Sequence, residues 1–191
     1  MRDKVIPGYE QCYGRGIGLD RQSFQNRIEQ IVKNKMSEGE EKAFALIFYD
    51  FRDKNFRKIL KDNDVFTKLD RLSGRELSIF YLHSGSDEFI ENFNKQFIKK
   101  LNIVGDVNLP CVVFFRTSKK GLVDISIASI YSEKITHGFQ ELYEIIRSYV
   151  SATPLQAEPK HIKWIKSSIK FLSLESMKVL ISEFLKNLVS Y

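Results

Sequence analysis

The sequence predicts an α/β domain built on a mixed β-sheet, and three observations predict it. Apolar runs of strand length at 43–48, 76–82 and 111–115 alternate with segments whose apolar residues recur every three to four positions. Strands joined by helices pair in parallel. Late in the chain, the turn Ser118-Lys119-Lys120-Gly121 separates the 111–115 run from another at 122–130, and so short a connection implies an antiparallel hairpin.

Taken in order, a short strand is expected at 4–6. Gly8, Gly14, Gly16 and Gly18 mark 8–18 as a loop. Asp20 caps a helix whose apolar side carries Phe24, Ile28, Ile31 and Val32. The nearly continuous run at 43–48 reads as a strand buried on both faces. Asp53 opens a helix that turns Phe56, Ile59 and Leu60 inward. Asp62-Asn63-Asp64 interrupts it, and Asp64 caps a second short piece that reaches Leu72 and ends at Ser73-Gly74. The next strand spans 76–82. Ser86 or Asp87 caps a long helix with Phe89, Ile90, Phe93, Phe97, Ile98 and Leu101 on one face. After the 111–130 hairpin, Thr136 or His137 opens a helix with Phe139, Leu142, Tyr143, Ile146, Tyr149 and Val150 inward. The order is β-α-β-α-β-α-β-β-α, with helices on both faces of the sheet.

Residues 151–159 (SATPLQAEP) have the composition of a linker. Two amphipathic helices are expected beyond it. The first alternates Lys160, Lys163, Lys166 and Lys170 with Ile162, Ile165, Ile169 and Leu172, with Trp164 and Phe171 to one side. The second carries Leu174, Met177, Ile181, Phe184 and Leu188 at spacings of three and four. The chain thus divides into a domain at 1–150, a linker at 151–159 and a helical extension at 160–191. That extension packs on the domain or on a partner, with 174–188 as a candidate homodimer surface.

Composition excludes more than it selects. With 191 residues, 43% of them hydrophobic, the chain is long enough for a substantial core. Its 30 basic and 24 acidic residues leave +6, which accommodates an acidic protein, a membrane surface or nucleic acid without choosing among them. Cys12 and Cys111 are too few and too far apart for a disulfide framework or a zinc site. No apolar run approaches the roughly 20 residues of a membrane span, and residues 1–7 lack a signal core. A reduced, cytoplasmic protein is expected.

Few segments carry a chemical motif. Gly14-Arg15-Gly16-Ile17-Gly18 has half of a dinucleotide fingerprint but no convincing strand before it and no third glycine at the required spacing. His83, His137 and His161 lack metal-ligand spacing. Asp62-Asn63-Asp64 is too contiguous for a calcium loop. His83-Ser84 and Asp50 end two strands and would share one sheet edge, the place where α/β sites form. The 160–172 segment, basic and amphipathic with a tryptophan, suits packing, an acidic partner or anionic lipid; no aromatic-basic RNA motif accompanies it.

Leu109-Pro110-Cys111, followed at once by Val112-Val113-Phe114-Phe115, places a proline at the start of the fourth strand of an alternating α/β order. This resembles the thioredoxin-like fold over residues 1–150, in which that proline is cis and lies beside the active site. The resemblance implies a cis bond at Pro110. It also aligns Phe48-Tyr49-Asp50-Phe51-Arg52-Asp53-Lys54-Asn55-Phe56-Arg57 with the segment that carries Cys-x-x-Cys in the redox enzymes. Asp53 and Phe56 occupy the two cysteine positions, so the dithiol route is excluded: neither side chain attacks or resolves a disulfide.

Two readings follow. In the first, the chain is a non-catalytic thioredoxin-like module that binds another protein, as an adaptor, a chaperone-like factor or an immunity-type inhibitor. The groove beside the proline, which in redox relatives receives an extended peptide, would persist without thiols. Its binding residues would be Tyr49, Asp53, Phe56, Leu109, Pro110 and Cys111, with no metal and no cofactor. In the alternative, Cys111 serves an atypical thiol-dependent redox enzyme, with Arg52, Lys54 and Arg57 supplying positive charge. That chemistry needs an exposed, electropositive thiolate.

Overall fold

The structure, a computed structural model, describes residues 8–11, 16–19, 21–50, 52–61, 68–69, 71–72, 77–84, 98–99, 102, 107–119, 121–130, 139–151, 162–166, 172–173, 175–176 and 179–180. Its first half holds β1 (Gly8–Gln11), β2 (Gly16–Leu19), α1 (Arg21–Glu38), β3 (Ala43–Asp50), α2 (Lys54–Lys61) and β4 (Leu77–Ser84). Then come β5 (Cys111–Ser118), β6 (Gly121–Ile130), α3 (Phe139–Ser151) and β7 (Ile162–Lys166). The described strands form one sheet in the order β2-β1-β4-β3-β5-β6-β7. Only β3 and β4 pair in parallel; every other neighbour is antiparallel. The protein is therefore α/β with a mixed sheet. Among the described residues, no helix is long and apolar enough to cross a membrane.

The centre of the sheet is where the sequence is most apolar. From Ala43 to Tyr49 every residue of β3 is buried, as a strand covered on both faces requires. Its odd-numbered residues join Val112, Phe114, Phe56 of α2 and Leu142, Ile145 and Ile146 of α3 in one cluster. Phe44, Leu46 and Phe48 on the other face are buried just as deeply, with Phe44 stacked on Phe115 at 4.8 Å between centroids. Val32 of α1, the helix that meets β5, is buried outside the α2–α3 cluster. Gly39 ends α1 at φ 69°, with its N–H donating to Met36 O at 3.2 Å and the Glu40 N–H to Lys35 O at 3.1 Å. A left-handed residue in that position is the usual C-terminal stop for a helix, and glycine adopts it without steric penalty.

The β5–β6 hairpin forms at the turn read from Ser118 to Gly121, where Ser118 Oγ donates to Gly121 O at 3.0 Å. It is bulged. Phe114 pairs with Ser126 and Arg116 with Val123, so β6 carries one residue more than β5 across that interval. Asp124, at φ 53°, lies within it; aspartate is among the few side chains that tolerate this region.

Four expectations need correction or fall outside the described residues. The glycine-rich segment expected as a loop supplies β1 and β2, paired from Gly8 with Leu19 to Gln11 with Gly16. Glycine disfavours strands, but β1 also has β4 to pair with, and that tertiary partner overrides local preference. Where the lysine-rich helix is expected from Lys160, the described residues Ile162–Lys166 form a strand instead, β7, antiparallel to β6 from Ser126 to Ile130. Five residues rich in isoleucine and tryptophan satisfy either period, and the open edge of β6 decided for the strand. The expected helical pair is thus a strand followed by helical residues at Glu175–Ser176 and Val179–Leu180. The strand expected at 4–6 and most of the helix expected from Ser86 lie outside the described residues; Ile98 from that helix is buried.

Candidate functional site

The sheet's topology brings the resemblance-derived residues to one end of the molecule. Phe48 of β3 pairs with Cys111, the first residue of β5, so the end of β3 and the segment entering β5 are neighbours. Tyr49 and Asp50 continue past that pair and lie opposite His83 and Ser84 of the parallel strand β4. The chain then turns: the Asp53 N–H donates to Asp50 O at 2.9 Å, and α2 begins at the next residue.

The described side chains of this turn each have a local task. Asp53 Oδ1 accepts from the N–H groups of Asn55 and Phe56, both at 3.0 Å. It is the N-cap of α2, satisfying donors that the first helical turn leaves open. Phe56 is fully buried and meets the Tyr49 ring at 5.6 Å between centroids. Asp50 Oδ1 accepts from the Arg52 N–H at 2.8 Å, the self-bracing geometry of a turn-forming aspartate. Arg52 also grips both Asp50 oxygens, with Nη2 at 2.7 Å from Oδ2 and Nε at 3.1 Å from each oxygen. The Asp50 carboxylate is thus engaged on both oxygens by Arg52.

On the facing segment, the Leu109–Pro110 peptide bond is cis, as the sequence reading expects. A single hydroxyl holds the approach to it: Ser129 Oγ accepts from the Asn108 N–H at 3.1 Å and donates to Asn108 O at 2.7 Å. Pro110 O accepts from the Ile130 N–H at 2.8 Å. Asn108 and Pro110 are thereby tied to β6. Leu109 between them is half-buried and has no hydrogen-bond partner among the described residues.

Of the six candidate binding residues, Tyr49, Phe56, Pro110 and Cys111 are buried; Asp53 and Leu109 are partly exposed. Cys111 is wholly enclosed, and burial pushes its thiol up from the ordinary thiol range. A desolvated thiol favours its neutral form and is a poor nucleophile. Cys12 lies outside the described residues.

Sequence reasoning missed the second polar cluster, at the far end of β5. Arg116 reaches Tyr149 O and, at 3.0 Å, Val150 O, at the carbonyl end of α3. Its guanidinium lies 4.9 Å from the Tyr149 ring centroid, and the Tyr149 hydroxyl donates to Asp124 O at 2.9 Å. Residues more than 30 positions apart leave no local signature of such a contact. Among the described residues, no group of three or more His, Cys, Asp or Glu side chains is placed to hold a metal ion. Of the candidate dimer segment 174–188, Val179 is exposed beside Leu172 and Leu180, which line a hollow of about 470 Å³.

Compared with known protein families, with curated proteins and with solved structures, the chain finds no match.

Proposed function

We propose that this chain is a non-catalytic, thioredoxin-like module that binds another polypeptide beside Leu109–Pro110. One observation carries the reading: the end of the sheet where a thioredoxin-like enzyme would hold its thiols has a capping carboxylate, Asp53, and a core side chain, Phe56. The described thiol beside it, Cys111, is enclosed. A recognition surface needs no nucleophile. It does need open backbone groups at an accessible place, and Leu109 offers an N–H and a C=O without partners among the described residues, between two anchored neighbours. An extended segment adding to such backbone gains hydrogen bonds as an extra strand does. The thiol-enzyme alternative requires an exposed thiolate, which the enclosure of Cys111 opposes.

The test is a photo-crosslinking residue placed at Asn108, which is exposed, in the full chain expressed in its own cells. A discrete adduct with one polypeptide, absent when the crosslinker replaces the distant Lys119, is the expected result. Turnover of a disulfide or peroxide substrate that disappears in Cys111→Ser would overturn the proposal and restore the enzyme.

A further inference from the structure

Helix α2 is charged against its own stability. From Arg52 to Lys61 the chain carries Arg52, Lys54, Arg57, Lys58 and Lys61, against a single acid, Asp53. That acid is committed to capping. Lys54 and Lys58 are exposed and stand four residues apart, hence adjacent on one helix face. Neither has an ionic partner among the described residues. Like charges at this spacing repel. Lys54 moreover occupies the first turn, where the helix dipole disfavours a cation, and no acidic residue is present in that turn.

Helix α1 shows the ordinary arrangement. There Lys33 pairs with Glu29, and Lys35 pairs with Glu38 at 2.6 Å and Glu40 at 2.8 Å. The two helices belong to one chain in one solvent, yet Lys54 and Lys58 lack, among the described residues, the partners that Lys33 and Lys35 have. Lys54 and Lys58 stand on the helix that leaves the end of β3, the same end of the sheet as Leu109 and Pro110.

The chemistry of the surface narrows the partner. A nucleic-acid strand would want aromatic faces for stacking, but Phe48, Tyr49 and Phe56, described at this end of the sheet, are buried. A membrane surface would want exposed apolar side chains beside the lysines. On α2 Phe56 is buried and Ile59 half-buried. Carboxylates on a polypeptide need only the charge. We infer that the Lys54–Lys58 face of α2 receives an acidic segment of the partner polypeptide that engages Leu109. This rests on the function proposed above and names its ligand class.

The test uses the full chain and four fluorescent probes: a 12-residue peptide of alternating Glu and Ala, a neutral Ser-Ala peptide of equal length, a thymidine oligonucleotide, and vesicles containing phosphatidylserine. The Glu-Ala peptide should bind tightest, and Lys54→Glu/Lys58→Glu should weaken it by roughly tenfold, in keeping with an interaction carried by charge. The control Lys99→Glu/Lys119→Glu, equal in net charge and likewise at exposed positions, should leave it nearly unchanged. Thermal melting keeps the variants interpretable: Glu at 54 suits the start of α2, and Lys54→Gln/Lys58→Gln, which removes the charges without adding new ones, serves as the milder pair. Equal loss in the control, or tighter binding of the oligonucleotide or vesicles, overturns the inference. So does an absence of Glu-Ala binding. If the neutral peptide then still crosslinks at Asn108, only the acidic preference falls; if neither peptide binds, the proposed function loses its support as well.

Discussion

Asp53 does at the start of α2 what a nucleophile would have to stop doing. Its Oδ1 is shared by two backbone N–H groups, so Asp53→Ala should cost about 1 kcal/mol of stability. Asp53→Asn, which keeps the acceptor, should cost only a few tenths of that order. Urea unfolding of both variants measures the difference. Cys111 sets a second expectation. Burial holds its folded thiol protonated while the unfolded thiol titrates near about 8.5. The unfolded state therefore binds fewer protons above that pH. The stability associated with this group is present in full below about pH 8.5 and falls by about 1.4 kcal/mol per unit above it. Burial also pushes the Tyr149 phenol up, which adds a loss of the same sign above its ordinary pKa of about 10. Unfolding at pH 7.5 and 9.5 in the parent chain and in Cys111→Ala isolates the thiol's share: the variant should show the shallower decline. Iodoacetamide should modify native Cys111 only at the rate of unfolding.

Elements differ in how much of themselves they announce. The strand β3 is legible because the nearly continuous apolar run at 43–48 leaves no amphipathic alternative. The α2 boundary is legible because Asp53 precedes a helical apolar pattern. The strand β7 is not, because Ile162-Lys163-Trp164-Ile165-Lys166 fits two periods and its assignment depends on an edge far away in sequence. The glycines of β1 and β2 mislead for the same reason: β4 supplies the partner that propensity cannot count. At the candidate site, Asp53 and Phe56 were readable in their local roles, whereas the Asn108–Ser129 tie and the Arg52 grip on Asp50 depend on turn and tertiary geometry. The clasp on α3 is the clearest case of a contact without sequence signature. Arg116 caps two α3 carbonyls and stacks on Tyr149, whose ring also packs on Phe114 at 4.4 Å. Losing charged hydrogen bonds to partly buried carbonyls costs about 1.5–3 kcal/mol. Arg116→Ala should therefore destabilise the protein by that order. Arg116→Lys should recover little, because an ammonium cannot reproduce the planar fork. Tyr149→Phe, which keeps the stack and deletes one hydrogen bond, should cost about 1 kcal/mol. Chemical denaturation orders the three.

At the scale of the whole molecule, the sheet does not end where the chain's composition changes. The linker-like stretch at 151–159 suggests that 1–150 would stand alone, yet β7 completes the sheet beyond it. Ser126–Ile130 of β6 pairs with β7, and further along the same edge Leu122 exchanges both backbone hydrogen bonds with Leu172, each at 2.8 Å. Removing residues 151–191 would uncover the apolar strand β6 along that edge, leaving a template for pairing with other chains. Each net backbone hydrogen bond lost is worth about 1 kcal/mol, and each kcal/mol shifts the midpoint of a chain this size by roughly 2–4 °C. A 1–150 truncation should thus melt several degrees lower and aggregate in a concentration-dependent way, where a chain ending at 173 should stay closer to the parent. Hydrogen exchange locates the cause. The β6 amides at Ser126, Ala128 and Ile130 and at Leu122 separate according to which neighbour they bond. Ile130 donates to Pro110 O and Leu122 to Leu172 O, so Leu122 should lose protection in the truncation while Ile130 retains it. A 1–150 chain that melts with the parent and keeps Leu122 protected would mean that β7 decorates the sheet without completing it.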